Sequence, residues 1–365
     1  MLLSVMHLQT NAKEYMSHSI DILGYKVGSG QPVFVIAEAG VNHNGSLDKA
    51  YGLIDAAVVA GANAVKFQTF KTDLLATPDA PKAAYQQQTT DKTETQYEML
   101  KRLELSVEAH RDLIAYCAQK NILFMSTPFE EDSANLLDDL DVPVFKIPSG
   151  EINNLPFLTH VAQKGKPLIV STGMSTLGEV ELAVQTIEKT GNQGLVLLHC
   201  VSNYPADVSD VNLRAMQTMA MAFGYPVGYS DHTLGIEVSL AAVALGACLI
   251  EKHFTLDRTL PGPDHEASLE PEELCSLVRG IRKVTAALGH GRKEPVANEM
   301  GSADVIRKSL VAACDIQQNT VLQESHIAIK RPGTGLSPPM RSFLVGRRAR
   351  THIPAGTLLK LEMLG

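Results

Sequence analysis

The 365-residue chain has no tryptophan, no CxxC pair and no excess of positive charge. No apolar run approaches the roughly 20 residues of a membrane span. Each absence excludes something. Without tryptophan, ring stacking in a site falls to the nine tyrosines and ten phenylalanines. The start of the chain lacks the apolar stretch of a secretion signal, so the reading is a cytoplasmic protein with no membrane partner. Lys+Arg total 32 against 40 Asp+Glu, a formal net charge of −8. That balance argues against a nucleic-acid partner, yet it leaves room for a local cationic pocket. Cys117, Cys200, Cys248, Cys275 and Cys314 are odd in number and read as reduced thiols, not as a disulfide framework. What is present is 45% hydrophobic residues with 20% charged, enough to bury a large core.

Two seams divide the chain. Residues 1–30 are mixed and polar, ending in Gly28-Ser29-Gly30, and read as a leader that caps something. Residues 290–303, HGRKEPVANEMGS and neighbours, lack an apolar period and read as a linker. Between them, residues 31–289 hold eight continuous apolar runs: VFVIAEAG, AVKFQTF, ILFMSTPF, VFKIPSGE, PLIVSTGM, LVLLHCVS, PVGYSDHT and CLIEKHFT. Such runs are how buried parallel strands read. Amphipathic stretches lie between them, with Ser46 and Ser106 as N-caps and Gly61 as a helix stop. The pattern predicts an α/β fold, a TIM (β/α)8 barrel. An open doubly wound sheet for a dinucleotide is disfavoured, because Val41-Asn42-His43-Asn44-Gly45 replaces GxGxxG after the first run. Residues 304–365 change to short strand-like pieces between turns, predicting a small β-rich second domain.

A barrel carries its chemistry at the C-terminal ends of its strands. Polar residues gather there: Glu38, Lys66, Gln68, Thr127, Lys146, Ser149, Glu151, Ser171, His199, Tyr204, Ser230, His232, Glu251, Lys252 and His253. An ordinary βα turn needs only one capping Ser, Thr or Asp, and buried charge is costly unless paired or bound to a ligand. Lys66 and Lys146, on separate strands beside Ser149, Ser171 and Ser230, suit a small polyanion such as phosphate. A Schiff-base lysine is the rival reading. His232 and His253 end consecutive strands and suit a divalent metal; a hydrogen-bonded pair or a general base is the alternative. Pro261-Gly262-Pro263 presents Asp264 and His265 near the mouth, and Lys71–Thr95 is long enough for a lid that includes Lys82 and Tyr85.

The strings VIAEAGVNHNG, NAVKFQTF, STPFEEDSA, KIPSGEINN, STGM, LHCVSNYP, GYSDHTLG, IEKHFTLD and PGPDHEASLEP, in this order, resemble the sialic acid synthase family. Its members make nine-carbon 2-keto sugar acids from phosphoenolpyruvate and a six-carbon amino sugar. IAIKRPGTGLSP resembles that family's antifreeze-like (SAF) domain, and the likeness runs from about Val33 to the end. It implies a PEP-dependent C–C bond-forming transferase releasing phosphate by C–O cleavage. The expected sugar is N-acetylmannosamine, giving N-acetylneuraminate; a 2,4-diacetamido-trideoxy hexose, giving legionaminate or pseudaminate, is the alternative. By position, the resemblance assigns phosphoenolpyruvate to Lys66, Thr127, Lys146, Ser149, Ser171 and Ser230, and the sugar to Gln68, Tyr204, Asp264 and Arg331. Glu38, Glu151 and His253 are its candidates for proton handling or sugar activation. His232 and His253 are implied to hold a divalent ion, Mn²⁺ first, with Mg²⁺ or Co²⁺ possible. Arg331 is implied to come from the partner of a domain-swapped homodimer. Some members carry Asn where this chain has Ser202, which leaves Ser202 and Asn203 as open candidates.

Overall fold

The computed structural model describes residues 19–365. The first eighteen residues of the expected leader lie outside that range. The remainder of the leader is a hairpin, β1 (Ser19–Ile22) and β2 (Tyr25–Gly28), paired antiparallel. Its alternation puts Ile20, Ile22 and Val27 into an apolar cluster with Phe34, Ile36, Ile169, Val196 and Leu249. These partners come from the starts of the long strands, so the hairpin plugs the floor of the fold that follows.

Eight parallel strands make that fold: β3 (Phe34–Gly40), β4 (Ala64–Thr69), β5 (Leu123–Pro128), β6 (Phe145–Ile147), β7 (Leu168–Ser171), β8 (Leu195–Cys200), β9 (Val227–Asp231) and β10 (Leu249–His253). Each falls within one of the eight apolar runs. The hydrogen-bonded order is β5-β4-β3-β10-β9-β8-β7-β6. Pairing of β10 with β3 joins the last strand to the first, and β5 lies against β6 without a shared ladder. The result is a nearly closed (β/α)8 barrel.

Helices wrap the barrel where the capping signals place them. The helix Leu47–Ala60 starts at Ser46, whose side chain accepts from Lys49 N, and stops at Gly61 with φ 76°. Only glycine takes that left-handed conformation at little cost. Ser106 caps Val107–Lys120 in the same way. The helices bury one face against the outward residues of the strands, in a second and larger apolar layer that includes Val35, Val65, Phe145, Val170 and Leu197.

The chain divides into two compact units, the first reaching Gly289 and the second running His290–Gly365. The second contains the antiparallel pair β11 (Ser309–Ala312) and β12 (Ile327–Lys330) around a core of Leu310, Ile316, Leu322, Leu344, Ile353 and Leu359. Residues 290–303 are not a plain linker, because Ala297–Ile306 is α-helical and belongs to the second unit. None of its residues is buried, so no apolar stripe marked it in the sequence.

Candidate active site

Strand parity builds the site. In a strand, alternate residues face the same way. Phe34 and Ile36 of β3 fill the barrel interior, so Glu38 is the next inward residue. The same count carries Ala64 to Lys66 and Gln68, Met125 to Thr127, Val144 to Lys146, and Ile169 to Ser171. It carries Leu198 to Cys200, and Leu249 to Glu251 and His253. On β9 the inward position below Ser230 and His232 is Gly228. A Cβ there would lie 2.5 Å from Leu249 O and 2.7 Å from Leu198 Cδ2, so the packed floor requires glycine. Apolar layers thus fill the lower barrel, and a polar layer sits on them.

That layer floors a cavity of about 420 Å³ lined by Glu38, Lys66, Gln68, Thr127, Lys146, Ser149, Ser171, Tyr204, Ser230, His232, His253 and Asp264. Glu151 and Arg331 are not among the lining residues. Pro148 ends β6, the 3-10 turn Ser149–Glu151 breaks the strand alternation, and the Glu151 carboxylate accepts from Asn154 Nδ2 at 2.7 Å. Arg331 lies in the second unit, exposed, with Nε donating to Ile306 O at 3.0 Å.

At the cavity floor, Lys66 Nζ is 2.6 Å from Glu38 Oε2, 2.8 Å from Thr127 Oγ1 and 3.7 Å from Glu251 Oε2. Lys146 Nζ donates to Ser171 Oγ at 2.7 Å and lies 3.5 Å from Glu251 Oε1. Ser230 Oγ donates to the same Glu251 oxygen at 3.0 Å. Glu251 therefore bridges the two lysines. Strand parity points it inward with His253. Beside it, Ser149 Oγ accepts from Gly173 N at 2.9 Å.

The buried charges differ in kind. Burial pushes the Glu38 carboxyl up to about 7, against the pull of Lys66. Glu251 is equally buried, but Lys146 and Lys66 outweigh the desolvation and hold it below the ordinary range. Burial raises Asp264 to about 6. Burial pulls Lys66 down, yet Glu251 and Glu38 more than offset this, and it stays charged. Burial lowers Lys146. Two carboxyls are thus poised to hold protons near neutrality while a third is a fixed anion.

His232 and His253 face each other with ring centroids 5.5 Å apart. His232 Nδ1 lies 2.6 Å from Val201 O, which leaves Nε2 as the free lone pair when the ring is neutral. His253 Nδ1 is buried without a hydrogen-bond partner, 3.9 Å from Asp264 Oδ2. Burial, then His232, hold His253 well below the usual imidazole range, in the neutral form a ligand needs. Among the described residues, no three His, Cys, Asp or Glu side chains gather as a metal group. Two imidazoles with an orphaned buried nitrogen nonetheless fit a divalent ion that leaves most positions open. The Tyr204 ring lies against His232 with centroids 4.0 Å apart and planes tilted by 34°, and Tyr85 stacks on Tyr204 at 5.0 Å.

Several polar residues prove structural. Lys82 is buried inside the lid, donating to Thr90 Oγ1 at 2.8 Å and pairing with Glu94 at 2.8 Å. The lid itself contains the short helices Thr72–Leu75 and Ala84–Thr89. His199 Nε2 is 2.6 Å from Val211 O, and His265 Nδ1 is 2.7 Å from Thr255 Oγ1. Cys200 lines the cavity, with Sγ 3.8 Å from His232 Nδ1, a placement that follows from strand parity.

Fold and pocket together define a (β/α)8 protein whose cavity has two buried lysines at its floor and two histidines at its rim. The chain belongs to the NeuB family, whose model matches residues 53–293, and residues 307–365 match the SAF domain. It is 50% identical over 339 residues to N,N'-diacetyllegionaminic acid synthase of Legionella pneumophila, covering 92% of this chain and 95% of that protein. It is 38% identical to N-acetylneuraminate-9-phosphate synthase of Homo sapiens, covering 93% and 95%. The crystal structure of N-acetylneuraminic acid (sialic acid) synthetase from Leptospira borgpetersenii in complex with citrate superposes with a TM-score of 0.69. That chain is 40% identical, and the match covers 79% of this chain and 95% of that one.

Proposed function

We propose that this chain condenses phosphoenolpyruvate with an N-acylamino hexose and water to give a nonulosonic acid and phosphate. The observation that carries the reading is the pair of buried lysines bridged by Glu251 on a floor whose rim holds two histidines with ring centroids 5.5 Å apart. Phosphoenolpyruvate is a compact polyanion. Lys146, Ser149, Ser171, Ser230 and the Gly173 N–H match its phosphate, and Lys66 with Thr127 matches its carboxylate. Such donors are preorganised, so they stabilise charge without rearranging.

In the reaction, C3 of phosphoenolpyruvate attacks the aldehyde carbon of the open-chain sugar, and the aldehyde oxygen gains a proton. Water then adds at C2, and the C2–O bond to phosphate breaks. A divalent ion on His232 and His253 would supply Lewis-acid polarisation of the aldehyde. Glu38, held near 7, suits the proton transfer, and Asp264 can hold a sugar hydroxyl or a proton beside it. Gln68 and Tyr204 orient the sugar. Arg331 from the partner of a homodimer would complete the site. The Schiff-base alternative suits Lys66 poorly, since two carboxylates keep it protonated; borohydride trapping would reveal it.

The sugar we favour is a 2,4-diacetamido-2,4,6-trideoxy hexose. Beyond the polar floor, the cavity wall includes Val41, Phe70, Leu75, Met99, Leu100 and Phe129. Burying a hydroxyl against such a wall without a partner costs about 1–3 kcal/mol, a cost a methyl terminus avoids. The legionaminic acid synthase similarity supports the same choice. N-acetylmannosamine is the second reading, supported by the sialic acid synthetase similarity. The test is phosphate release by the full chain with phosphoenolpyruvate, Mn²⁺ and each sugar. Highest kcat/KM with the trideoxy sugar is expected. A higher value with N-acetylmannosamine moves the assignment to the second reading, and no phosphate with any sugar sinks the proposal.

A further inference from the structure

The ion pair between Asp231 and Lys252 takes no part in the chemistry above, yet each partner sits between two residues that do. In the parallel ladder of β9 and β10, Ser230 lies opposite Glu251 and Asp231 opposite Lys252. Ser230, His232, Glu251 and His253 line the cavity, whereas Asp231 and Lys252 do not. They point away from it and meet at 2.9 Å, with both side chains fully buried. This is the last position at which the two strands pair, and the histidines are the next residues along each strand.

Every oxygen of Asp231 is engaged. Oδ1 accepts from Thr233 N at 2.9 Å, Thr233 Oγ1 at 2.7 Å and Tyr229 OH at 3.3 Å. Oδ2 accepts from Ser239 Oγ at 2.6 Å, on the helix that follows β9, as well as from Lys252. Lys252 Nζ also donates to Thr233 O, so the lysine grips both the carboxylate and the turn behind His232. Burying two charges is expensive, and well-packed apolar residues often serve stability as well or better; the best-attested use of such a pair is to set registry. Registry matters here because a slip of one residue would turn Glu251 and His253 out of the cavity.

We propose that Asp231–Lys252 is a positioning pair that locks the register of β9 on β10 and so fixes the separation of His232 and His253 for one shared divalent ion. This rests on the two-histidine metal reading. The test is a Mn²⁺ titration of the full chain followed by electron paramagnetic resonance, with thermal unfolding of the metal-free protein alongside. In Asp231→Asn/Lys252→Met the charges go, while an amide oxygen remains for Thr233 and the methionine fills the lysine's volume. The expected result is a Kd for Mn²⁺ raised roughly 10- to 100-fold, as loss of groups that orient metal ligands typically gives, with a cooperative unfolding transition retained. A folded double variant with wild-type Mn²⁺ affinity overturns the proposal. Should that variant not fold, Asp231→Asn alone breaks the ion pair while keeping an amide oxygen for Thr233 N and Oγ1; weaker Mn²⁺ binding by the folded protein supports the lock, and unchanged binding overturns it. A wild-type chain that binds no Mn²⁺ removes the metal reading itself, and the lock's purpose with it, before any variant is compared.

Discussion

Replacing Lys146 by Met tests the anion floor. Lys146 is buried, with Nζ 2.7 Å from Ser171 Oγ and 3.5 Å from Glu251. Its loss removes one charge-assisted contact to phosphate, about 1.5–3 kcal/mol. At 1.4 kcal/mol per decade, that is a roughly 10- to 150-fold weaker hold on phosphoenolpyruvate. The fold is also strained electrostatically, because Glu251 loses one of its two cations. Breaking a buried pair from one side costs about 3–5 kcal/mol. Glu251 keeps Lys66 at 3.7 Å and Ser230 at 3.0 Å, so the lower end applies. Initial rates of phosphate release against each substrate read the first effect, and urea unfolding reads the second. The KM for phosphoenolpyruvate should rise while that for the sugar barely moves. Adding Glu251→Gln should recover stability without recovering phosphoenolpyruvate binding. An unchanged KM for phosphoenolpyruvate in Lys146→Met would refute the assignment of the floor.

Arg331→Ala should raise the sugar KM far more than that for phosphoenolpyruvate; equal effects, or none, would argue that the second unit does not complete a sugar site. Stability should also fall in acid through His43. Burial lowers this imidazole from 6.5 to about 4 in the folded chain. Above about pH 6.5 it is neutral in both states and contributes nothing to the pH dependence. As pH falls from there towards 4, the unfolded chain binds a proton that folded His43 refuses, at a cost approaching about 3 kcal/mol. Urea midpoints across that window should show the loss, and His43→Gln should flatten it; an unaltered slope would place the titration elsewhere.

The barrel was legible because its strands are buried on both faces. That makes them continuous apolar runs, and the polar residue ending each run marks the mouth. Parity adds what a list of strand-end residues lacks. In IEKH it sends Glu251 and His253 inward and Lys252 outward, dividing three neighbouring polar residues between a site and a positioning pair. The count fails where the strand does: β6 ends at Ile147, so parity does not fix which way Glu151 points. The helix Ala297–Ile306 was missed for a different reason: with no residue buried, it has no apolar period to read. Lys82 shows a third limit. Nothing local distinguishes a lysine that contacts a ligand from one that braces its own loop against Glu94.

In the proposed reaction a C–C bond forms on phosphoenolpyruvate, and water enters at C2 while phosphate leaves with its bridging oxygen. Running the reaction in ¹⁸O-labelled water and analysing both products by mass spectrometry tests it most directly. Label is expected at C2 of the nonulosonic acid, with unlabelled phosphate. Label in the phosphate would mean P–O cleavage and would contradict the proposed reaction.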